Sequence, residues 1–385
     1  MKIAYFIPGL NAASGVSAFC VEVANCLAES ANGVAVVYTD NDSYKPSPKV
    51  ALVHADMLSA LPWRPEVAHI HSLWMGCVVK TMRWCVRNKV LFVVSPHGSL
   101  MPRVFQHGRL KKWIFWHFFL KPLVRRAAAI HCTGEAENAA VEKLLGKRCP
   151  PIFVAPLGVH LPEFREKPKA EVKTVLFLGR LGEEKGLVKL LDAWNQVKRE
   201  GWQLVIAGPD WEGYQQVLLD HCRFLNLQYV LSSPQTSNVK HQTSNVKPQT
   251  SNIKPQTSNS QPNPIFFTGP VSGDAKDSLY RSADIFVLPS PMENFSHVVI
   301  EALAYGVPVI ATKGTPWSEL ESERCGRWID QGVEPLAAAL RELMAMSDEE
   351  RAAMGANGRR LAASKYQWSK VAATLSNAYE IAIRS

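Results

Sequence analysis

The chain has 385 residues, of which 47% are hydrophobic and 20% are charged, and its formal net charge is +9. This length is long for one domain and sufficient for two domains with separate cores, and the composition is that of an ordinary soluble globular protein. No apolar run approaches ~18 residues, so the sequence predicts no membrane-spanning helix. The N-terminal segment MKIAYFIPGLNAASG has one lysine and a short apolar run, which predicts a strand rather than a signal peptide.

The eight cysteines form no CxxC pair, and most of them lie in apolar surroundings. This pattern is typical of cysteines in a reduced core, because metal ligands usually occur at close, repeated spacings. We therefore predict reduced core cysteines in a cytoplasmic protein and no metal site.

Short apolar runs along the chain are predicted to be β-strands. In the first half they span residues 2–8, 34–40, 67–73, 90–96, 127–133 and 151–158, and in the second half 174–180, 203–209, 264–270, 283–290 and 307–312. Continuous apolar strands are typical of parallel sheets that are covered on both faces. Helix-like segments lie between many of these runs, so the alternation predicts two doubly wound α/β domains with parallel sheets.

Two polar segments interrupt this alternation. Residues 161–172 (LPEFREKPKAEV) are polar and contain proline, which predicts a hinge between an N-terminal domain over 1–160 and a C-terminal domain over 173–365. The segment QTSNVKHQTSNVKPQTSNIKPQTSNSQP repeats every seven residues, but each repeat has at most one apolar residue, which is too few for a coiled coil. We interpret residues 233–263 as a disordered surface insertion without a catalytic role.

A basic, aromatic stretch lies in the N-terminal half of the chain. Between His97 and Cys132 there is no aspartate or glutamate, and the stretch contains the aromatic run WIFWHFF. It also contains seven cations, namely Arg103, Arg109, Lys111, Lys112, Lys121, Arg125 and Arg126. A stretch of basic residues interleaved with aromatic ones can bind nucleic acid, anionic lipid or a phosphate-bearing substrate. The alternative is an ordinary amphipathic helix whose aromatic residues belong to the core.

Two glutamates follow the apolar run at 283–290. Glu293 lies in the next loop, and Glu301 lies inside an apolar helix predicted from Phe295 to Tyr305, with Asn294 or Ser296 as its cap. A carboxylate in apolar surroundings needs a partner, and a helix N-terminus binds anions. The order of glutamate, helix N-terminus and glutamate matches the sugar, diphosphate and ribose of a nucleotide sugar. The alternative is a glutamate of the helix N-terminal turn and a second, surface glutamate on the helix.

A second pair of charged residues follows the run at 174–180. Arg180 ends this run, and Lys185 lies just before Gly186 in the next turn. The carboxyl ends of strands face the ligand crevice in open α/β sheets, so an arginine and a lysine there can neutralise a diphosphate. They can also stabilise the charge on a departing phosphate. The alternative is surface charge around a strand-to-helix turn.

The segment GRLGEEKGLVKLLDA, together with PSPMENFSHVVIEALAYGVPVIAT further along, resembles the retaining GT-B glycosyltransferases of glycosyltransferase family 4. Glu293 and Glu301 match the E-x7-E pair of that family. The resemblance covers nearly the whole chain and includes the loop PGLNAASGVS, the turn SPHG, the strand APLGV and the C-terminal segment YQWSKVAATLSNAYEIA. It implies a GT-B fold, with two Rossmann-like domains facing a cleft and a C-terminal helix over 366–385 that packs back on the N-terminal domain.

The resemblance also implies transfer of a sugar from a nucleotide diphosphate sugar, such as a UDP- or GDP-sugar. The transfer would retain the configuration at the anomeric carbon and need no metal or other cofactor. By matching position, Arg180 and Lys185 would bind the diphosphate and assist its departure. Glu301 would hold the ribose hydroxyls, and Glu293 would hold the hydroxyls of the donor sugar.

Further site residues are implied by the same resemblance. The backbone amides of Asn294, Phe295 and Ser296 would contact the sugar or the phosphate. His97 would lie beside the donor sugar near the reacting centre, and the alternative is a histidine of the core or of a turn. Gly15 would let the N-terminal loop approach the diphosphate closely, although the glycine that usually accompanies it is replaced by serine here.

No carboxylate is placed as an evident covalent nucleophile, so the resemblance favours front-face displacement. It suggests a glycan or lipid-linked acceptor in bacterial cell-surface polysaccharide biosynthesis. We expect a cytoplasmic protein that meets the anionic inner face of the cell membrane through residues 103–126, and no nucleic-acid partner.

Other classes of protein remain as alternatives. A nucleotide-sugar epimerase or a phosphorylase shares the architecture, and a non-catalytic sugar-nucleotide-binding protein would bind the donor without releasing a nucleoside diphosphate. A nicotinamide-dependent oxidoreductase is disfavoured, because the first loop has only Gly9 and Gly15 in place of G-x-G-x-x-G.

Overall fold

The computed structural model describes residues 1–10, 15–30, 33–41, 45–56, 61–106, 109–165, 167, 170–197, 200–231 and 264–384. The predicted repeat insertion at 233–263 lies outside these residues. All eight cysteines lie inside them, and all eight are free. No helix in these ranges is both long enough and apolar enough to cross a bilayer.

The N-terminal domain is built on a seven-stranded parallel sheet with the order β3-β2-β1-β4-β5-β6-β7. Its strands are β1 (Lys2–Leu10), β2 (Gly33–Asn41), β3 (Ala51–His54), β4 (Val67–His71), β5 (Leu91–Ser95), β6 (Ala129–Cys132) and β7 (Ile152–Val154). Its helices are α1 (Gly15–Leu27), α2 (Gly76–Arg87), α3 (Arg109–Phe115), α4 (Lys121–Val124) and α5 (Glu135–Leu145), and a π-helical turn (Trp116–Leu120) joins α3 to α4. Separate buried clusters cover the two faces of the sheet.

The C-terminal domain repeats this plan with the strand order β10-β11-β9-β8-β12-β13-β14, and again all pairs are parallel. Its strands are β8 (Lys173–Leu178), β9 (Trp202–Ala207), β10 (Tyr229–Leu231), β11 (Ile265–Gly269), β12 (Ile285–Leu288), β13 (Val309–Thr312) and β14 (Gly326–Ile329). Its helices are α6 (Leu187–Val197), α7 (Tyr214–Phe224), α8 (Gly273–Ser282), α9 (His297–Ala304), α10 (Glu319–Ser322), α11 (Val333–Ala345) and α12 (Asp348–Lys365). The prediction of two Rossmann-like α/β domains is confirmed.

Three strands did not appear among the predicted runs, and all three lie at sheet edges: β3, β10 and β14. Every residue of β3 and most residues of β14 are only partly buried, and two of the three residues of β10 are exposed. An edge strand has a neighbour on one side only, so its sequence does not show the continuous apolar pattern of a central parallel strand.

The last helix, α13 (Trp368–Arg384), leaves the C-terminal domain and packs on the N-terminal one. Its Tyr379 is fully buried and forms a 3.0 Å hydrogen bond with the hydroxyl of Tyr5 on β1. Where the chain crosses between the domains, the Val159 amide donates to the Tyr366 carbonyl at 2.7 Å. The two crossing segments therefore run side by side, which limits the ways in which one domain can move against the other.

Candidate functional site

The candidate site lies where strand order reverses in each sheet. In the C-terminal domain, β8 is flanked by β9 and β12, so the turns that follow β8 and β12 leave in opposite directions and open a crevice between them. In the N-terminal domain the same reversal occurs between β1 and β4. The loops at the carboxyl ends of the two sheets are in contact. The side-chain amide of Asn294, after β12, donates a hydrogen bond to the Thr133 hydroxyl, after β6, at 2.8 Å.

An ion pair joins the two loops of the C-terminal crevice. The Nζ atom of Lys185 lies 2.6 Å from Oε1 of Glu293, and both side chains are more than four-fifths buried. Gly186 brings the lysine turn against the glutamate loop, since its φ of 69° is left-handed and a Cβ there would clash with the Pro289 carbonyl oxygen. The structure thus brings together two residues that the sequence analysis assigned to separate parts of the donor.

Arg180 lies between β8 and the turn that carries Lys185. Its guanidinium is 4.6 Å from the ring centre of Trp211, in the loop after β9, and 3.5 Å from the Glu184 carboxylate. About half of the Arg180 side chain is exposed. The arginine is therefore held by an aromatic face and a weak ion pair, and it remains accessible to an anionic ligand.

The loop between β12 and α9 contains polar atoms that lack partners. Three buried atoms of this loop neither accept nor donate a hydrogen bond among the described residues, namely Ser290 Oγ, Asn294 Oδ1 and Ser296 Oγ. An unsatisfied buried polar atom costs about 1–3 kcal/mol, so these three atoms leave hydrogen-bonding capacity unused within one seven-residue loop.

Helix α9 is shorter than predicted at both ends, and it starts at His297 rather than Phe295. The Phe295 ring packs against Trp317 and Tyr366, and Ser296 adopts a left-handed φ of 70°. Because the Phe295 side chain belongs to the core, only its backbone amide is left for a ligand. Ser296 occupies the N-cap position, but its side chain makes no capping hydrogen bond.

Glu301 lies in the second turn of α9 and has three partners. Its carboxylate accepts from Lys276 Nζ at 2.5 Å and from the Tyr280 hydroxyl at 2.8 Å, and it lies 3.4 Å from His297 Nδ1. Burial by itself would raise the pKa of Glu301, but the hydrogen bond from His297 and the charge of Lys276 outweigh burial and lower this pKa to about 2. Glu301 is therefore an ionised acceptor at neutral pH, as the sequence analysis required of a carboxylate in apolar company.

His97 faces this crevice from the N-terminal domain, in the turn after β5. Its Nε2 lies 2.8 Å from His71 Nδ1, and the two rings are stacked. His97 and Gly98 both have left-handed φ angles, 50° and 78°. A Cβ on Gly98 would lie 3.3 Å from the Asn294 side chain, so the turn passes close to the loop that precedes α9.

One functional residue that the sequence analysis missed is Glu137, in the first turn of α5. Its side chain is almost fully buried and accepts hydrogen bonds from the Gly98 amide, the Thr133 amide at 2.9 Å and the Thr133 hydroxyl at 3.0 Å. Thr133 in turn accepts from Asn294. The segment TGEAE after a predicted strand was the available signal, because a carboxylate in a first helical turn can reach back to the preceding loop.

Gly15 is the first residue of α1 and directly follows residues outside the described ranges. A Cβ at Gly15 would meet no atom within 4 Å. The expected close approach of this loop to a diphosphate therefore stays a prediction.

A chain of buried hydrogen bonds runs beneath the His97 turn. His131 Nε2 lies 2.8 Å from the Ala155 carbonyl, which only accepts, so His131 donates from Nε2. Its Nδ1 then accepts from Ser95, and Ser95 accepts from Nε2 of His69, each at 2.6 Å. Nδ1 of His69 accepts from the Tyr379 hydroxyl of α13, also at 2.6 Å. When both histidines are neutral, the donor and the acceptor of every hydrogen bond in this chain are determined.

Burial keeps these histidines neutral. It lowers the pKa of His131 to about 4 and that of His97 to about 3, and it also lowers the pKa values of His69 and His71, to which charge repulsion from neighbouring histidines adds. All four rings are packed against one another or against Phe19. The cluster joins β4, β5 and β6 to α13 below the crevice.

Two Rossmann-like domains whose loops meet across a crevice have the GT-B architecture. The chain matches the family model for a glycosyl transferase 4-like domain over residues 13–158 and the model for glycosyl transferases group 1 over residues 162–361. The second match covers more than half of the chain, so the protein belongs to the glycosyl transferases group 1 family.

Individual proteins agree with this assignment. An uncharacterised glycosyltransferase of Methanocaldococcus jannaschii is 30% identical over 215 residues, which is 55% of this chain and 45% of that protein. The chain therefore matches less than half the length of this curated relative.

Two solved structures share the fold. The sucrose-phosphate synthase of Thermosynechococcus elongatus has a TM-score of 0.74 at 18% identity and covers 99% of this chain and 98% of its own. HepE of Anabaena, in complex with UDP-glucose, has a TM-score of 0.71 at 16% identity and covers 99% of this chain and all of its own.

We predict that Glu301→Gln weakens nucleoside diphosphate binding by on the order of 10- to 100-fold, because the neutral amide replaces a charged acceptor of nearly the same shape. Isothermal titration calorimetry measures the change. The matched control is Glu334→Gln, which alters a carboxylate on α11 that accepts a hydrogen bond from Gln196. Unchanged nucleotide affinity in a folded Glu301→Gln variant would remove Glu301 from the binding site.

We also predict that the free energy of unfolding falls as the pH drops from about 6.5 to about 4. The unfolded chain binds protons on these histidines below about pH 6.5, whereas the folded chain does so only below their lowered pKa values. For His131 alone, the difference between its pKa in the unfolded and in the folded chain corresponds to about 3 kcal/mol of unfolding free energy. His160 works in the opposite direction, because its hydrogen bond with Glu22 raises its pKa.

Thermal unfolding midpoints at about pH 7.5 and about pH 5 test this prediction, and a fall of roughly 10 °C is expected. The exposed His117, in the π-helical turn, provides the control, since His117→Gln keeps the full pH dependence. His131→Gln lowers the midpoint at neutral pH but reduces the pH dependence. A midpoint that stays level between these pH values contradicts the assignment of neutral buried histidines.

Proposed function

We propose that this protein transfers a sugar from a nucleotide diphosphate sugar to an acceptor hydroxyl, with retention at the anomeric carbon. The observation that carries the proposal is the Lys185–Glu293 ion pair at the reversal point of the C-terminal sheet, next to three unpaired polar atoms. A diphosphate supplies negative charge for Lys185 and Arg180, and a sugar supplies hydroxyls for Glu293, Asn294 and Ser296.

The approach of the donor rearranges this pair. Diphosphate oxygens compete with Glu293 for the Lys185 ammonium, and the sugar hydroxyls then replace the lysine as donors to the glutamate. Glu301 lies further along α9, where its ionised carboxylate can accept from the two ribose hydroxyls. The support comes from the charges and positions of these side chains, together with the bound UDP-glucose of the HepE structure.

In the transfer step, the bond between the anomeric carbon and the diphosphate oxygen breaks. A new bond forms to the acceptor oxygen on the same face, and the acceptor proton passes to an oxygen of the leaving diphosphate. Charge grows on that diphosphate in the transition state, so Lys185 and Arg180 stabilise the transition state more than the bound donor. These cations perform the task of a divalent metal, which is why we propose a metal-independent reaction.

The acceptor enters from the N-terminal domain, which presents His97, Gly98 and Thr133 to the crevice. We propose a glycan or lipid-linked acceptor of cell-surface polysaccharide biosynthesis, with a cytoplasmic enzyme that works at the inner face of the cell membrane. The basic, aromatic segment between β5 and β6 supports the membrane setting.

A panel of nucleotides tests the donor class. We expect UDP or GDP to raise the thermal unfolding midpoint, because a ligand at 100 times its dissociation constant adds about 2.7 kcal/mol to the free energy of unfolding. ADP, CMP and NAD serve as controls. Stabilisation by NAD alone would show that the donor proposal is wrong.

Lys185→Ala tests the chemical step. We expect kcat to fall on the order of 100-fold, while the dissociation constant of the donor rises by less than about tenfold, because the lysine acts mainly on charge that develops in the transition state. Release of nucleoside diphosphate is measured in buffer with EDTA, and Arg341→Ala on the surface of α11 is the control. An affinity loss equal to the loss in kcat/KM, with kcat unchanged, would assign Lys185 to ground-state binding alone.

A further inference from the structure

The segment that joins β5 to β6 exposes an apolar stripe. It crosses the N-terminal sheet from the carboxyl end of β5 to the amino end of β6, as a parallel connection must. Its inner side chains Trp116, Leu120 and Val124 are buried in the core. Its outer side chains include large apolar groups that are 41–72% exposed, namely Leu110, Trp113, Ile114, Phe118 and Phe119.

This arrangement corrects the alternative in which the aromatic residues belong to the core, since only part of them are buried. The spacing of Leu110, Trp113, Ile114 and Phe118 places them on one face of the helix. The π-helical turn inserts an extra residue at 116–120, and this keeps Trp116 and Leu120 inward while Phe118 and Phe119 stay outward. A helix with both faces apolar is unusual at a protein surface that contacts only water.

A basic pocket adjoins the stripe at the amino ends of β6 and β7. The crevice lies at the opposite end of the sheet, where the strands have their carboxyl ends. It has a volume of about 870 Å³, and its charged lining consists of Lys121, Arg125 and Arg148, with His117 beside them. The residues that line this pocket all lie in the described ranges and include no acid. The Nε of Arg125 lacks a hydrogen-bond partner among those residues. The ring of His117 lies 4.4 Å from that of Trp113, so the pocket and the stripe form one surface.

We propose that this surface docks on an anionic lipid bilayer, with the apolar stripe inserted at the level of the acyl chains and the pocket occupied by a phosphate-bearing headgroup. An interfacial helix of this kind combines an apolar face, aromatic residues and flanking cations. The anionic headgroups complement the cations, each of which contributes to binding near the membrane surface.

A second copy of the chain does not fit the same surface. Two such faces would bring acid-free basic pockets together, and like charges at an interface oppose association. A soluble acidic partner would satisfy the cations but would leave no reason for a run of exposed Trp, Phe, Leu and Ile that extends beyond them. The combination of the stripe and the pocket therefore favours a bilayer.

Co-sedimentation with vesicles tests the surface, and it does not require catalytic activity. We expect the full chain to bind vesicles that contain phosphatidylglycerol, to bind pure phosphatidylcholine much more weakly, and to dissociate at high salt. Trp113→Ala/Phe118→Ala reduces the partition coefficient on the order of tenfold or more, because two aromatic side chains no longer insert. Lys121→Gln/Arg148→Gln reduces it by about fivefold for each cation.

The matched control is Phe224→Ala/Lys370→Gln, which removes one exposed aromatic residue on α7 and one exposed cation on α13, both distant in sequence from the surface. It binds vesicles like the wild type. The thermal unfolding midpoint without ligand shows that each variant is folded. The nucleotide-induced shift of that midpoint, measured separately, distinguishes a failure of docking from a failure of the proposed donor site.

Two results overturn the proposal. Wild-type protein that binds no anionic vesicle shows that the surface does not dock on membranes, even if inorganic phosphate alone raises the unfolding midpoint by filling the pocket. Folded stripe and pocket variants that bind vesicles as well as the wild type show that a different surface makes the contact.

Discussion

The buried carboxylate of Glu137 organises the side of the crevice that the N-terminal domain contributes. It holds the amide of Gly98 after β5 and both donors of Thr133 after β6, and Thr133 receives the amide of Asn294 from the other domain. Removal of a buried acceptor with three donors would leave each donor unpaired, at a cost of about 1–3 kcal/mol for each one. Glu137 is therefore one of the side chains that fix the position of the His97 turn, together with His71.

The C-terminal side of the crevice likewise depends on a few buried polar contacts, chiefly the ion pair between Lys185 and Glu293. Lys185 and Glu293 come from turns that are about a hundred residues apart, yet the parallel sheet puts both turns at one edge. Their mutual pairing satisfies two largely buried charges, which is the condition under which a buried ion pair is tolerable. A donor that carries both a diphosphate and hydroxyls can replace each partner by one of its own groups. The pair thus joins the two loops of the crevice, and in the proposed function the same two charges select the donor.

Helix α13 links the crevice to the stability of the N-terminal domain. Tyr379 begins a chain of oriented hydrogen bonds through His69, Ser95 and His131 that ends at Ala155, where the chain leaves the N-terminal domain. Because the chain of donors is consistent only for neutral histidines, burial is an advantage here rather than a cost. On the opposite face of the same sheet, the segment with Trp113 and Phe118 exposes apolar side chains that are not part of the core.

Local patterns in the sequence were sufficient to predict two doubly wound domains with parallel sheets. Continuous apolar runs such as 174–180 and 283–290 predict central parallel strands, because a strand covered on both faces must be apolar at every position. The short edge strands β3, β10 and β14 lack that pattern, since one side faces solvent. The strand-to-helix turns at Arg180–Lys185 and Glu293–Glu301 were found for a similar reason: charges that follow buried strands lie at the sheet edge where ligands bind.

The contacts between distant segments could come only from the tertiary structure. The spacing of residues in the sequence does not predict that Lys185 pairs with Glu293 or that Glu137 binds the amide of Gly98. Nor does it predict the three partners of Glu301, which are Lys276, Tyr280 and His297. Each of these contacts depends on how the sheets and their loops approach one another. The orientation of the segment at 109–124 was equally undetermined, since its residues are apolar on both faces. A sequence specifies local preference and periodicity, whereas the partner of a polar side chain is decided by packing over the whole chain.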